Sequence, residues 1–394
     1  MNIAFFSIPP VVPVTGGAER SVVALADTLE TRGHRCFLLS IKPLTDASAD
    51  RRLAALPTRG GECSRENRNF FERFLRENSV DVVIWVPGGS RCFPFASVCR
   101  SRGVTMISQS HGQPDYYRRA ALSKARGFDS LEVRGIFRRI FLALKLAWKD
   151  WKHRRVFRFN TENSASYVLL SEHYFPDFRA YFPGGNVPCP LVGIGNMCAF
   201  PRAVPDFSQK KKELLFVGRL AFSHKRPDYL LRIWSRLETR FPAWSLRFVG
   251  SGADEPRLKK LAGMLGLERV FFEGFQNPEP YYRDASILCM TSAHEGLPMV
   301  LIEAASFGCV PAAFDSFAAV RDIIADGENG CLVPAFDLDA YAETLARLMS
   351  DDALRERLAR NALAQIPEKF SPEKIGAQWE RLFRDVIPGN SERR

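Results

Sequence analysis

Short apolar runs that alternate with helix-like segments occur in two series, and this alternation constrains the fold more than any other feature. The runs of the first series lie at 2–8, 35–41, 80–86, 104–108 and 166–170, and those of the second at 213–217, 245–249, 270–272, 286–290 and 310–313. Strands that are joined by helices form parallel sheets, which helices cover on both faces. The sequence therefore predicts an α/β protein with two Rossmann-like parallel sheets.

A stretch rich in proline and glycine separates the two series, from about 183 to three lysines at 210–212. This composition is typical of an interdomain linker, and 394 residues are enough for two domains. We predict an N-terminal domain over 1–195, a C-terminal domain over 196–370, and a last helix with a tail over 371–394. Ser371 and Pro372 suit the N-cap and the first position of that helix.

Composition and apolar runs bear on the location of the protein. Its nine cysteines include no C-x-x-C pair, which indicates reduced thiols. No apolar run approaches the ~20 residues of a membrane-spanning helix. The N-terminal residues, which lack a basic region before the apolar run, read as a first strand and not as a signal peptide. We therefore expect a cytoplasmic protein.

The positive charge is concentrated in one segment. The net charge is +11, and residues 116–158 contain 13 Lys and Arg against three Asp and Glu. Ile136, Ile140, Leu144, Trp148 and Trp151 recur there at helical spacing. Such a helix could dock on an anionic membrane, could pack on the N-terminal domain with a solvated basic face, or could bind nucleic acid. Of these, we predict contact with a membrane and no binding of nucleic acid. The predicted membrane-contact residues are Arg134, Arg138, Arg139, Lys145, Trp148, Lys149, Trp151 and Lys152.

Two glutamates lie eight residues apart in the run 291–308. Gly296 and Pro298 follow Glu295 and mark the point where a strand gives way to a helix. Since eight residues at ~100° each return close to one helical face, we expect Glu303 on the same helix and face as Glu295. The first amides of this helix, at Gly296, Leu297, Met299 and Val300, suit a diphosphate.

This stretch resembles the E-x7-E signature of family 4 retaining glycosyltransferases, which use nucleotide sugars and have the GT-B fold. The resemblance extends to 16–20, 216–220, 225–228 and 326–333 and covers nearly the whole chain apart from roughly 40–70 and 115–160. It implies two Rossmann-like domains that face a cleft, with the C-terminal helix crossing back to the N-terminal domain. The run His224-Lys-Arg-Pro-Asp228 is similar to the bacterial members that build lipopolysaccharide, capsule or exopolysaccharide.

The resemblance also implies roles for individual residues. The catalytic candidates are Glu295, near the sugar; His111, at the donor sugar or the reacting centre; and Arg219 and Lys225, on the leaving diphosphate. Glu303 is expected on the ribose hydroxyls. Whether Glu295 is a nucleophile or only positions the donor is left open. The remaining donor-binding candidates are Gly16, Gly17, Gly218, Phe275, Gln276, Gly296, Leu297, Pro298 and Met299.

Each of these motifs also has an ordinary structural interpretation. Gly16-Gly17 could mark a turn, His111 could be a loop residue bonded to backbone, and the basic loop at 219–225 could simply be solvated. Asp337 and Asp339 suit an N-cap better than a metal site. We expect Glu295 and Lys225 to lie on the surface of the cleft, so that alanine at either would abolish transfer and leave folding intact.

The sequence therefore predicts a retaining glycosyltransferase that moves a hexose-type sugar from a UDP-sugar to an acceptor hydroxyl. The acceptor is a lipid-linked glycan or a lipopolysaccharide intermediate, met at the inner face of the cytoplasmic membrane. No cofactor and no metal are expected. Two alternatives remain: a nucleotide-sugar epimerase of the same fold, and a non-catalytic scaffold that docks on membranes.

Overall fold

The structure, a computed structural model, describes residues 1–7, 17–41, 50–57, 64–86, 93–115, 133–198, 200 and 204–387. Of 17–18, 93, 133–140, 142–143 and 146 it describes the backbone alone. The chain forms two compact units. Unit 1 comprises Met1–Met197 and Pro372–Arg394, and unit 2 comprises Cys198–Ser371. The boundaries predicted after residues 195 and 370 lie within two residues of these.

Unit 1 is built on a parallel sheet. Its strands are β1 (Asn2–Ser7), β2 (Arg35–Ser40), β3 (Leu53–Ala55), β4 (Val82–Trp85), β5 (Thr105–Ser110), β6 (Ser166–Leu169) and β7 (Leu191–Gly193). The strand order is β3-β2-β1-β4-β5-β6-β7, and every pair is parallel. The five strands predicted in this half are confirmed, and the edge strands β3 and β7 are additional.

Helices cover both faces of this sheet. Those within the first 197 residues are α1 (Gly17–Thr31), α2 (Arg65–Glu77), α3 (Phe93–Ser101), α4 (Val133–Asn163) and α5 (Phe175–Arg179). Because side chains alternate along a strand, Ile3 and Phe5 of β1 pack with α1, whereas Ala4 and Phe6 pack with α2 and α3. Each face of the sheet therefore has its own buried core.

Unit 2 repeats this plan. Its strands are β8 (Lys211–Val217), β9 (Ser245–Val249), β10 (Val270–Phe272), β11 (Ala285–Met290), β12 (Val310–Asp315) and β13 (Cys331–Pro334). Its helices are α6 (Pro227–Trp234), α7 (Glu255–Met264), α8 (Glu279–Asp284), α9 (Met299–Ala305), α10 (Leu338–Ser350) and α11 (Asp352–Lys369). The strand order is β10-β9-β8-β11-β12-β13, all parallel. Asp337 caps α10, since its side chain accepts from the amide of Ala340 at 2.9 Å.

The last helix, α12 (Pro372–Val386), belongs to unit 1. Its buried residues recur on one face of the helix and share the core of β1 and α1; they are Ile375, Trp379, Leu382 and Phe383. Beside them, Arg32 Nη2 donates to Glu380 Oε2 at 2.6 Å, and His34 Nε2 lies 3.2 Å from Glu380 Oε1. The predicted return of this helix to the N-terminal unit is confirmed.

The described cysteines are buried thiols without disulfide partners: Cys36, Cys99, Cys189, Cys198, Cys289, Cys309 and Cys331. Burial raises the pKa of Cys36, Cys99 and Cys189 to about 12 in each case. These thiols are therefore held in their unreactive, protonated form.

Candidate active site

The strand order of unit 2 reverses between β8 and β11. In open α/β sheets, ligands bind beyond the carboxyl ends of the strands at such a reversal. The loop after β8 carries Gly218, Arg219 and Lys225, and the loop after β11 carries Glu295. The fold thus brings residues from two distant parts of the chain to one edge of the sheet.

Backbone contacts hold the loops after β8, β9 and β10 against one another. Gly218 N donates to Val249 O at 2.9 Å, and Gly250 N donates to Gly274 O at 2.7 Å. A Cβ on Gly250 would lie 2.0 Å from the carbonyl oxygen of Gly218, so no other residue fits there. Gly250 was not among the predicted site residues, although the run Gly250-Ser-Gly252 after a predicted strand indicates a turn.

Lys225 and Glu295 form an ion pair in which Nζ donates to Oε1 at 2.7 Å. Their side chains are only 16% and 9% exposed. Burial raises the pKa of the Glu295 carboxyl, but the charge of Lys225 and the nearby His224 outweigh it and hold that pKa below its ordinary value. Both side chains are thus more buried than a position at a surface suggests. Removal of either one leaves the other charge largely buried.

The β11 loop also fixes the backbone that carries Lys225. Thr291 Oγ1 donates to the carbonyl oxygen of Lys225 at 3.2 Å and to that of Arg226 at 2.8 Å. Arg226 has a φ of 49°, in the left-handed region that side chains other than glycine rarely adopt. Its guanidinium lies 3.7 Å from the centre of the Tyr229 ring and pairs with Asp228 at 3.0 Å. These contacts hold the strained residue and, with it, Lys225.

The two glutamates do not share a helix. Since α9 begins at Met299, Glu295 lies in the preceding loop and only Glu303 is helical. This corrects the predicted placement, because the helix begins later than the spacing suggested. Glu303 is buried and accepts a hydrogen bond from the Tyr282 hydroxyl at 2.8 Å. Tyr282, in α8, is a residue that the sequence analysis did not identify.

The predicted donor-binding residues differ in exposure. Leu297 and Pro298 are buried in the turn before α9. Phe275 and Gln276, just beyond β10, are exposed, with 81% of Phe275 accessible. Arg219 is exposed as well, and within the described part of the chain its guanidinium has no hydrogen-bond or ion-pair partner. An exposed cation and an exposed aromatic ring are thus available to a ligand at this edge.

Comparison with known proteins shows what this part of the chain is similar to. Residues 200–365 match the family model of Glycosyl transferases group 1. An uncharacterized glycosyltransferase from Haemophilus influenzae is 35% identical over 176 residues, which are 44% of this chain and 49% of that relative. The amylovoran biosynthesis glycosyltransferase AmsD of Erwinia amylovora is 31% identical over 224 residues, 55% of this chain and 61% of AmsD. The chain spans about half the length of the curated relatives that it matches.

Solved glycosyltransferases have the same fold over the whole chain. The lipopolysaccharide outer core galactosyltransferase WaaB has a TM-score of 0.72 at 21% identity and covers 98% of this chain and 100% of its own. Anabaena HepE in complex with UDP has a TM-score of 0.75 at 16% identity, with 98% and 100% covered. At these identities the likeness concerns the fold alone, and it confirms GT-B.

The remaining site candidates belong to unit 1. His111 directly follows β5, and burial lowers the pKa of its ring to about 4. Among the residues that the structure describes, neither ring nitrogen has a hydrogen-bond partner. The ring lines a small cavity with polar and apolar side chains, among them Ser21, Gln109, Asn196 and Trp379. Gly17 begins α1, whereas Gly16 lies outside the described residues.

The predicted basic helix is α4, 31 residues long. Its middle exposes Phe141 (68%), Leu144 (65%), Trp148 (59%) and Trp151 (53%), which recur every three or four residues along one stripe. The stripe is therefore not packed on the unit 1 core, as one alternative required. Phe157, near the other end of α4, is buried and anchors the helix. The predicted side chains of Arg134, Ile136, Arg138, Arg139 and Ile140 lie outside the described part of the structure.

Two kinds of feature are absent from the described residues. No group of three or more His, Cys, Asp or Glu side chains there has the arrangement of a metal site. None of the described helices combines the length and apolar character needed to cross a membrane.

Proposed function

We propose that this protein is a retaining glycosyltransferase that moves a hexose-type sugar from a UDP-sugar to an acceptor hydroxyl. The observation that carries the proposal is the grouping of Arg219, Lys225 and Glu295 at the reversal of the unit 2 sheet. Cations at the carboxyl ends of parallel strands suit a diphosphate. HepE, which shares the fold, is described with UDP and with UDP-glucose, which supports uracil as the base.

The two cations have different tasks in this proposal. Arg219 is exposed and can donate two parallel hydrogen bonds to phosphate oxygens, whereas Lys225 supplies a point charge held by Glu295. Negative charge grows on the diphosphate as its bond to the sugar breaks, and both cations stabilise that charge. The scheme needs no metal ion.

Glu295 acts by positioning in this scheme and not as a nucleophile. One carboxylate oxygen is bonded to Lys225, and the other lies 3.6 Å from His224 Nε2. Positive groups that stabilise a carboxylate also weaken it as an attacking group. Retention then follows from attack by the acceptor hydroxyl on the face that the diphosphate leaves, with positioning and phosphate stabilisation as the main catalytic effects.

The remaining contacts concern the rest of the donor. Glu303, oriented by the Tyr282 hydroxyl, accepts hydrogen bonds from the ribose. The exposed ring of Phe275 offers a stacking surface to the base. For His111, in unit 1, we propose hydrogen bonds to sugar hydroxyls as a neutral imidazole, since its low pKa keeps it uncharged near neutral pH.

Nucleotide binding by Arg219 variants tests the donor site. Arg219→Gln should weaken UDP binding at least about tenfold, the loss expected for a charged hydrogen bond, without a change in melting temperature. Arg232→Gln, at an exposed position of α6, is the matched control and should bind UDP as the wild type does. Calorimetry with UDP, GDP, ADP and CMP in the presence of EDTA measures the base preference and the need for a metal. Unchanged UDP affinity in Arg219→Gln would contradict the proposal.

Product analysis separates this function from the two alternatives. A retaining transferase gives a product with the anomeric configuration of the donor, which NMR detects. Conversion of the donor to its epimer without an acceptor would instead establish an epimerase. Failure to bind any nucleotide would favour the non-catalytic scaffold.

We further propose that the acceptor is a lipid-linked glycan or a lipopolysaccharide intermediate, which the protein reaches from the cytoplasmic side of the membrane. A Campylobacter jejuni relative, 30% identical over 195 residues, is named for an undecaprenol diphosphate acceptor. The exposed stripe of α4 supports the same acceptor class. Aromatic side chains suit the level of the lipid headgroups, and each Lys or Arg near an anionic leaflet contributes about 1 kcal/mol.

The cations of α4 lie beside its aromatic rings. Lys152 Nζ is 5.7 Å from the centre of the Trp148 ring, and the Arg155 guanidinium is 4.9 Å from that of Trp151.

Vesicle sedimentation tests this surface. The wild type should bind vesicles of phosphatidylglycerol and phosphatidylethanolamine, and not vesicles of phosphatidylcholine alone. Trp148→Ser combined with Trp151→Ser should abolish binding, whereas Met264→Ser, at an exposed apolar position of unit 2, should not. Equal binding by both variants would contradict the proposal, and dissociation of a dimer in the double variant would assign the stripe to a second copy.

A further inference from the structure

His224 occupies a defined place beside the proposed donor site. Its ring stacks on that of His294, with centroids 4.5 Å apart and an angle of 17° between the planes. Its Nε2 lies 3.6 Å from Glu295 Oε2, on the oxygen that Lys225 does not contact. A third of the His224 side chain is exposed, whereas His294 is buried. One edge of the His224 ring therefore faces Glu295, and one face is held by His294.

The backbone fixes this arrangement. The amide of Ala293 donates to the carbonyl oxygen of His224 at 2.8 Å, which joins the β11 loop directly to the β8 loop. The hydroxyl of Thr291 binds the next two carbonyls of the same loop. These bonds join the two loops just before Glu295 and fix the backbone that carries His224, while the stack on His294 holds the ring itself.

The kind of interaction between His224 and Glu295 depends on the charge of the His224 ring. At 3.6 Å, Nε2 of a neutral His224 is too far from Glu295 Oε2 for a hydrogen bond. A protonated His224 ring forms an ion pair with the carboxylate at this distance. A neutral His224 adds no charge to the site beyond those of Lys225 and Glu295. A protonated His224 adds one positive charge where a diphosphate is proposed to bind.

Two charged groups lie beside His224: the ammonium of Lys225, its neighbour in sequence, and the carboxylate of Glu295, whose Oε2 is 3.6 Å from Nε2. Protonation of both stacked rings would place two positive charges 4.5 Å apart, so the pair accepts one proton more readily than two. A bound diphosphate adds negative charge and favours that single proton.

We propose that His224 is a positioning residue that holds the second oxygen of Glu295 and, when it takes up one proton, strengthens binding of the nucleotide diphosphate. The inference rests on the proposed function in one respect, which is that a nucleotide diphosphate binds at this edge of unit 2. It adds that binding is linked to the protonation of a residue outside the E-x7-E pair.

Calorimetric titration of UDP between pH 5.5 and 8.5 tests the proposal with four proteins: wild type, His224→Gln, His224→Lys and His173→Gln. The last removes an exposed histidine of unit 1 and is the matched control. UDP itself loses a proton near pH 6, so the informative quantity is the ratio of wild-type to variant affinity at each pH. The ratio of the wild-type UDP affinity to that of His224→Gln should fall about tenfold as the pH rises across this range. A tenfold change corresponds to a shift of one unit in proton affinity when UDP binds.

The two other variants complete the test. His224→Lys carries its charge throughout this range and should retain tight UDP binding at pH 8.5, while His173→Gln should follow the wild type at every pH. Binding of UDP with the same pH profile in wild type and His224→Gln would overturn the inference and leave the proposed function intact. A wild type that binds no UDP would overturn both.

Discussion

Substitution of Lys225 by methionine is expected to destabilise unit 2 in the absence of any nucleotide. The side chain pairs with Glu295 at 2.7 Å, and the two are 16% and 9% exposed. Removal of one member of such a buried pair typically costs 3–5 kcal/mol, because the remaining charge has lost its compensation. We expect about 3 kcal/mol, near the lower end of this range, since His224 remains close to the carboxylate.

Thermal unfolding measures this cost. For a unit of this size 1 kcal/mol corresponds to roughly 2–4 °C, so the melting temperature should fall by about 6–12 °C. The double variant Lys225→Met with Glu295→Gln leaves no uncompensated charge and should recover most of the loss. A single variant that melts with the wild type, or a double variant whose loss is the sum of the two single losses, would refute the reasoning.

The pH dependence gives a second check on the same pair. The folded protein holds the pKa of Glu295 below its ordinary value of 4.5, so this carboxylate stabilises the wild type above that pH and loses the effect as the pH falls further. In Lys225→Met, burial without a cation favours the protonated carboxyl instead. The difference in stability between the two proteins should therefore be largest near pH 7 and shrink steadily towards pH 4.

Three further predictions concern other parts of the structure. Gly250→Ala should destabilise unit 2 by about 3 kcal/mol, since the new Cβ would meet a neighbouring carbonyl oxygen. Gly263→Ala places its Cβ in open space on α7 and should stabilise unit 2 by about 0.5–1 kcal/mol. Urea unfolding of both variants measures these changes. Tyr282→Phe removes the hydroxyl that orients Glu303 and should weaken UDP binding by about 1–3 kcal/mol in calorimetry; equal affinity would contradict this. The pKa of His111 is lowered to about 4, so the unfolded chain binds a proton at higher pH than the folded one. Wild-type stability should therefore drop relative to His111→Asn between pH 6.5 and 4.

Most of the fold could be predicted because central strands are recognisable from their apolar sequences alone. Nine of the ten predicted strands lie inside the sheets, where helices on both faces bury most of their side chains. The tenth, β10, is a three-residue edge strand whose side chains are partly or fully exposed. The strands that the sequence did not predict, β3, β7 and β13, are three or four residues long and lie at sheet edges. Such segments are too short for a periodic pattern, and they become strands only by pairing with a neighbour.

The candidate site could be predicted in its members but not in its contacts. Arg219, Lys225 and Glu295 were found through motifs, each in its own loop. That Lys225 bonds directly to Glu295 depends on the adjacency of β8 and β11, which a linear pattern does not contain. The same is true of His224 and Tyr282, whose partners are fixed by tertiary packing. The burial of the ion pair likewise follows from these contacts and not from a pattern in the sequence.

The return of α12 to unit 1 has a consequence for biosynthesis. Unit 2 is one continuous segment, so a nascent chain can complete it as soon as Ser371 has left the ribosome. Unit 1 starts to emerge first, yet the face of its sheet that packs with α1 stays partly uncovered until Ile375, Trp379 and Phe383 arrive. The unit that is translated first is thus the last to complete its core. A product truncated before α12 would expose an apolar face of the unit 1 sheet to chaperones and proteases.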